Sequence, residues 1–212
     1  MPGPVFVQDF RDKPFDLSKW RRDVRHFKPD PVDEKIILDC LEEATHAPSV
    51  GNSQPWRFVV VEDPEKRARL AEYFEAENDK ALKSYSGDRA GKYAKLKLAG
   101  IREAPVQISV FADTETNVGY QLGSRTMPQA KIYSVVAAIQ VLWFLLRSYG
   151  VGLGWVSILP PEKMVELMEV DPGWTFVGHL CIGYPKFETD VPDLVQMKWQ
   201  DRLDFDQFYI RR

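Results

Sequence analysis

The sequence has little of what a stapled, metal-tied or polyanion-binding protein needs. Its two cysteines, Cys40 and Cys181, stand without a CxxC or a Cys/His ladder, and its three histidines, His26, His46 and His179, lack metal-ligand spacing. Disulfide and zinc frameworks are therefore disfavoured, and a reducing cytoplasm is the expected setting. Surplus positive charge is missing as well: 28 basic against 31 acidic side chains leave a net charge of −3. Sequence-independent binding to nucleic acid or anionic lipid has nothing to draw on. The most apolar stretch, Ile132 to Leu146, contains Gln140 and is closed by Lys131 and Arg147, which is short of the roughly 20 residues of a membrane span. The opening MPGPVFVQDFRDKP does not run from basic to apolar as a secretory signal does, so export is not expected. Internal repeats and low-complexity linkers are absent. What remains is a chain of 212 residues, 44% hydrophobic, long enough to bury a substantial core.

The apolar positions Ile36, Ile37, Cys40, Leu41 and Ala44 repeat at helical spacing and predict a helix over 33–44. RFVVVED (57–63) reads as a strand, and residues 64–83 read as an exposed amphipathic helix. The charged stretch that follows contains a further helix, and VQISVFAD (106–113) is a second strand. From Gln129 to Tyr149 the pattern is a helix apolar on most of its circumference, closed by Gly150 where a left-handed cap favours glycine. Such a helix requires cover on several sides, from the sheet and from a second subunit. GVGLGWVSIL (150–159) and TFVGHLCIGYP (175–185) supply two more strands, with a short helix from Pro161 between them. The class is α+β, a three-layer domain around a small sheet, with a mostly irregular tail after Pro185.

Three polar features could carry chemistry. In Arg21-Arg22-Asp23-Val24-Arg25, a helical turn would let guanidiniums converge on one phosphate; a solvated basic turn with Asp23 pairing an arginine is the plainer alternative. The loop Ala47-Pro48-Ser49-Val50-Gly51-Asn52-Ser53-Gln54-Pro55-Trp56 offers hydroxyl and amide groups to a heteroatom-rich ring, or is simply a turn. Gly150, Gly152 and Gly154 would admit backbone amides close to a planar ligand, although they match neither a dinucleotide fingerprint nor a phosphate-binding loop.

In order, these features resemble the flavin-binding pattern of the nitroreductase superfamily. RRDVRHF, HAPSVGNSQPWRFV, GDRAGKYAKLKLAGIREAPVQISVF, Tyr133-Ser134-Val135-Val136 and GVGLGWVSIL are similar to its 5,6-dimethylbenzimidazole synthase branch. The resemblance implies an FMN-binding fold with a small central mixed sheet and an intertwined homodimer carrying flavin sites at the subunit interface. It implies an N-terminal extension (1–18) and a single domain (19–212) with a lid over the flavin (86–104) and a C-terminal arm (186–212). It also implies oxygen-dependent fragmentation of reduced FMN to 5,6-dimethylbenzimidazole and erythrose 4-phosphate for cobalamin biosynthesis, so that the flavin is substrate and a separate NAD(P)H:flavin reductase supplies it. By the same resemblance, Asp23 and Ser157 are the catalytic pair. Arg21, Arg22, Asp23, Val24, Arg25 and Arg202 contact the phosphate and ribityl chain, Ser49 reaches across the interface, Leu98 belongs to the lid, and Gly154, Trp155 and Ser157 lie beside the ring. An NAD(P)H-dependent nitroreductase that recycles FMN and a non-catalytic flavin-binding protein are the alternatives. A long lid leaves a nicotinamide no room to stack, and Asp23 and Ser157 count against a mere carrier.

Overall fold

The computed structural model describes residues 6–96 and 98–212. The β-branched runs form four strands, β1 (Trp56–Val60), β2 (Val106–Asp113), β3 (Gly152–Val156) and β4 (Trp174–Gly183), joined in the order β1-β2-β4-β3. All three pairings are antiparallel, so the sheet differs from the mixed one expected. Among the described residues, its parallel feature is a single bridge between Asp23 and Leu153. A short apolar run carries the same periodicity in either direction, so strand orientation is not written in it.

Helices cover both faces. On one side lie α2 (Glu34–Ala44), capped by the Asp33 side chain, and α5 (Ala130–Ser148). Val135, Ala138, Ile139, Leu142 and Leu146 of α5, spaced along one stripe, pack fully buried against Ile108, Val110, Leu153, Leu180 and Ile182. Helix α5 is long and apolar enough to cross a membrane by length and composition, but this stripe is the centre of the core. Tyr133 and Val136, on its far side, are exposed. The second face carries α3 (Pro64–Ser84) and α6 (Pro161–Met168), whose Leu70, Ala71, Met164 and Met168 pack with Phe27, Phe111, Val156 and Cys181.

A polar thread runs through that second layer. Gln107 Nε2 donates to the carbonyl of Ile101 (2.6 Å), which leaves its amide oxygen to accept from His179 Nε2 (3.1 Å). The imidazole proton therefore sits on Nε2, and Nδ1 accepts from the Ser109 hydroxyl (3.0 Å). Burial lowers His179 to about 3 and raises the Cys181 thiol to about 12, so both are neutral, inert core groups.

Among the described residues, three further helices lie outside these layers. Helix α1 (Gln8–Trp20) runs through Pro14 and buries none of its residues. The sequence shows no helical pattern there, and an internal proline argues against one. Asp9 in its first turn and Lys19 in its last complement the helix dipole. Helix α4 (Gly87–Tyr93) follows α3. The tail after Pro185 holds one short helix, α7 (Asp193–Gln196), and a single 3-10 turn at Phe205–Gln207.

Candidate active site

The arginine-rich segment is extended and not helical. Helix α1 ends at Trp20, and Arg21 already has β-region angles (φ −73°, ψ 103°). The Val24 N–H donates to the Leu153 carbonyl (3.1 Å), Lys28 N–H to Tyr184 and Lys186 N–H to His26. The segment is thus laid along β3. Side chains alternate on an extended chain, so Arg21, Asp23 and Arg25 share one side, in place of the four-apart convergence of a helical turn.

That placement explains two of the glycines differently from the sequence reading. A Cβ on Gly154 would stand 2.1 Å from the Val24 carbonyl oxygen and 3.8 Å from Asp23 Oδ1, and one on Gly152 would stand 2.7 Å from a Val24 methyl. These glycines let the 21–25 segment lie against β3. Gly150, with φ +72° just after α5, fills the capping position expected of it.

Asp23 is doubly held: Oδ1 accepts from the Trp155 N–H (2.9 Å) and Oδ2 from Arg25 Nε (2.8 Å). Arg25 reaches on to Asp193 of α7 (3.3 Å). The salt bridge foreseen as the plain alternative for Asp23 is therefore present, and it leaves carboxylate lone pairs unused.

The guanidiniums around it are crowded. Arg21 lies over the Trp143 ring at 4.5 Å, a cation–π contact, and burial lowers its pKa against the pull of Asp23. Arg22 donates one bond to the Ser18 carbonyl (2.9 Å). Its Nε is buried with no hydrogen-bond partner among the described residues. Burial lowers its pKa first, then the positive charges of Arg21 and Arg202, while the Asp190 carboxylate acts in the opposite direction. An anion placed here would relieve both the like-charge repulsion and the unsatisfied donor.

Two clefts adjoin there. One, of about 310 Å³, is lined by Ser18, Arg21, Arg22, Asp23, Arg25, Asp193, Leu194 and Arg202. The other, of about 550 Å³, continues past Trp143, Arg147 and Gly152 to Phe187 and Glu188. Both fall within the size range of small-molecule sites. Leu98, Ala99 and Gly100 close against Asp23, Gly154, Trp155 and Val156 from above. Lys97, within the expected lid, lies outside the described residues.

Most of the residues singled out from the sequence thus meet here: Arg21, Arg22, Asp23, Val24, Arg25, Leu98, Gly154, Trp155 and Arg202. Two do not. Ser157, the first residue past β3, is exposed and lines neither cleft. Ser49 accepts from the Gln54 N–H (3.2 Å) in a loop held by Val50 N–H to Ser134, away from the clefts of its own chain. Trp143, Asp193 and Leu194 were missed. The first reads as an ordinary core position, and the other two sit in a tail without periodicity.

The chain as a whole has counterparts among known proteins. The nitroreductase family model matches residues 18–184. A 5,6-dimethylbenzimidazole synthase of Rhodospirillum rubrum is 47% identical over 200 residues, 94% of this chain and 95% of its own. One from Rhodobacter capsulatus is 42% identical, with 93% and 96% covered. Among solved structures, a BluB-like flavoprotein of Clostridium difficile superposes with a TM-score of 0.68 at 19% identity, covering 97% of this chain and all of its own. An iodotyrosine deiodinase bound to FMN superposes at 0.69 with 24% identity, covering 82% and 91%. With the fold, the arginine-lined cleft and the end-to-end similarity in agreement, the chain belongs to the nitroreductase family and, within it, to the 5,6-dimethylbenzimidazole synthases.

Proposed function

We propose that this protein converts reduced FMN and dioxygen to 5,6-dimethylbenzimidazole and erythrose 4-phosphate, the lower-ligand step of cobalamin biosynthesis. The observation that carries this reading is the position of Asp23: a carboxylate fixed by Trp155 N–H and Arg25, between the guanidinium cleft and the Leu98 segment. The orphaned Arg22 Nε and the mutual repulsion of Arg21, Arg22 and Arg202 fit a phosphate. When bound, the reduced flavin supplies both the electrons for dioxygen and the carbon skeleton of the product.

The residues of the chain do the rest. Arg22 and Arg202 bind the phosphate, with Arg21 held in place by Trp143. Arg25 fixes Asp23, whose free lone pairs take and return protons at the ribityl carbons as general base and acid. Residues 86–104 exclude bulk water as a lid, with Leu98 over the acid. Ser157 donates a hydrogen bond at the ring edge, and Ser49 serves the partner subunit's site. The homodimer this requires is supported by the apolar surface that one chain leaves open, notably Phe10, Phe15, Tyr133, Val136 and Phe208. A separate NAD(P)H:flavin reductase delivers the substrate, and the reaction takes place in the cytoplasm.

Purified protein given FMN, a flavin reductase, NADPH and air is expected to yield dimethylbenzimidazole by mass spectrometry. Asp23→Asn and Ser157→Gly are expected to bind FMN and make no product. Product at the wild-type rate from Asp23→Asn would remove the acid from the mechanism. Two relatives named for NADH and NAD(P)H chemistry, an NADH dehydrogenase of Thermus thermophilus and a nitroreductase-named protein of Bacillus subtilis, are each 27% identical to this chain. If NADPH alone bleached the bound flavin rapidly and the flavin then cycled unconsumed, a nitroreductase would be the correct assignment.

A further inference from the structure

The lid segment and the anion cleft are joined through the C-terminal arm, by a contact that the proposed chemistry does not use. Tyr85, just past α3, and Tyr93, at the end of α4, pack with their rings tilted by 33° and centroids 4.9 Å apart. Trp199 packs edge-on against both, at 5.5 and 6.0 Å. Arg89 of α4 lies over the Trp199 ring at 4.8 Å, and the Tyr93 hydroxyl donates to Asn78 of α3 (2.9 Å). From residue 196 to the C-terminus, every residue except Trp199 is exposed, so beyond α7 this ring is where the arm packs against the fold.

The arm is stiff on the side facing the site. Lys198 takes a left-handed conformation (φ 53°), and the Trp199 N–H donates back to the Leu194 carbonyl (2.9 Å), closing the end of α7 as a Schellman-type turn. Leu194 lines the anion cleft, Asp193 pairs with Arg25, and Arg202 returns to the same cleft three residues after Trp199. One end of a short rigid unit thus lies at the phosphate site and the other within the lid's aromatic cluster.

Charge gives this unit a reason to respond to ligand. Arg22 and Arg202 bring like charges to one cleft, so a bound phosphate would attract both and favour an inward position of the arm. We propose that Trp199 is a positioning residue that couples occupancy of the phosphate cleft to closure of α4, and thereby sets the preference of the site for a phosphorylated flavin over riboflavin. Coupling of this kind is reciprocal: whatever phosphate contributes to lid order, lid order contributes to phosphate affinity. The inference rests on the lid and phosphate roles assigned above.

The test uses the full-length protein with oxidised FMN or riboflavin, each at saturation, and without turnover. Hydrogen exchange is followed over residues 85–96, and affinity by quenching of flavin fluorescence. In the wild type, FMN is expected to slow exchange there at least about fivefold more than riboflavin does, the lower end of typical coupling. Trp199→Ala is expected to abolish that excess and to weaken FMN by a similar factor, with riboflavin affinity changed by less than about twofold. Trp199→Phe, which keeps a ring, should retain both. Tyr85→Ala breaks the same cluster from the lid side and should reproduce the loss should Trp199→Ala not fold. An undiminished FMN excess in either alanine variant, or equal weakening of FMN and riboflavin, would overturn the proposal. Absence of dimethylbenzimidazole from the wild type would overturn the enzymatic reading and leave the coupling measurement intact.

Discussion

Gly154→Ala tests whether the site is built by laying residues 21–25 onto β3. Gly154 is an ordinary strand position in the β3–β4 ladder, opposite Cys181, and its φ lies outside the left-handed range. Alanine is thus tolerated by the backbone and opposed by space alone. The added Cβ would meet the Val24 carbonyl oxygen at 2.1 Å, so the segment must retreat by more than about 1 Å to reach van der Waals separation. The bonds at risk are Val24 N–H to Leu153 and Trp155 N–H to the Asp23 carboxylate. A neutral bond contributes about 1 kcal/mol net and one to a charged group about 1.5–3 kcal/mol, so the expected loss is on the order of 3 kcal/mol. Urea denaturation reads that loss. Product formation should fall on the order of a hundredfold even where the fold survives, since a displacement near 1 Å costs that much in a positioned site. Gly91, in α4 with nothing near its Cβ position, is the control: Gly91→Ala should stabilise slightly. A Gly154→Ala variant with stability within about 0.5 kcal/mol of wild type and full product formation would refute the proposed packing.

Three other outcomes are expected. Arg22→Ala should weaken FMN roughly 10- to 150-fold, the range for bonds to charged groups, with a much smaller effect on riboflavin, as isothermal calorimetry would show. That loss should shrink at high salt as the remaining charges are screened. His179 has a folded pKa of about 3 against 6.5 unperturbed, so below 6.5 the unfolded chain binds the extra proton. Its contribution to stability is therefore present above that pH and is lost as pH falls toward 3, at roughly 1 kcal/mol per unit. His179→Gln should flatten the wild-type acid slope in urea titrations between pH 7 and pH 5, and an unchanged slope would deny His179 this role. Ser157→Gly, at an exposed position, should leave the denaturation midpoint unmoved while removing product.

Periodicity placed the elements whose burial is decided locally. Residues 106–113 form β2 as read, and α5 spans Ala130–Ser148, because alternation and the 3.6-residue stripe are properties of the chain itself. Its failures share a physical origin in tertiary context. Arg21 to Arg25 satisfy helical spacing, but their conformation is dictated by β3, where Gly152 and Gly154 leave room for Val24. Helix α1 buries nothing within one chain, so no apolar stripe could announce it. Asp193, Leu194 and Trp199 sit in a tail whose order comes from Arg25 and the aromatic cluster, and no local pattern records a contact made across the fold. Motif resemblance pointed to the arginine segment, Leu98 and Arg202 that the fold brings to the clefts, whereas the room that Gly152 and Gly154 leave for Val24 was not legible in it.

The proposed reaction depends on Asp23 acting at the sugar-alcohol chain of a flavin gripped by Arg22 and Arg202. In the proposed reaction the ribityl C1′ carbon becomes C2 of dimethylbenzimidazole, so reduced FMN carrying carbon-13 at C1′, turned over in air and followed by mass spectrometry, tests this most directly. Wild-type protein is predicted to give dimethylbenzimidazole that carries the label, and Asp23→Asn to give none while still retaining bound FMN. Unlabelled product, or labelled FMN recovered intact after repeated oxidation, would contradict the account.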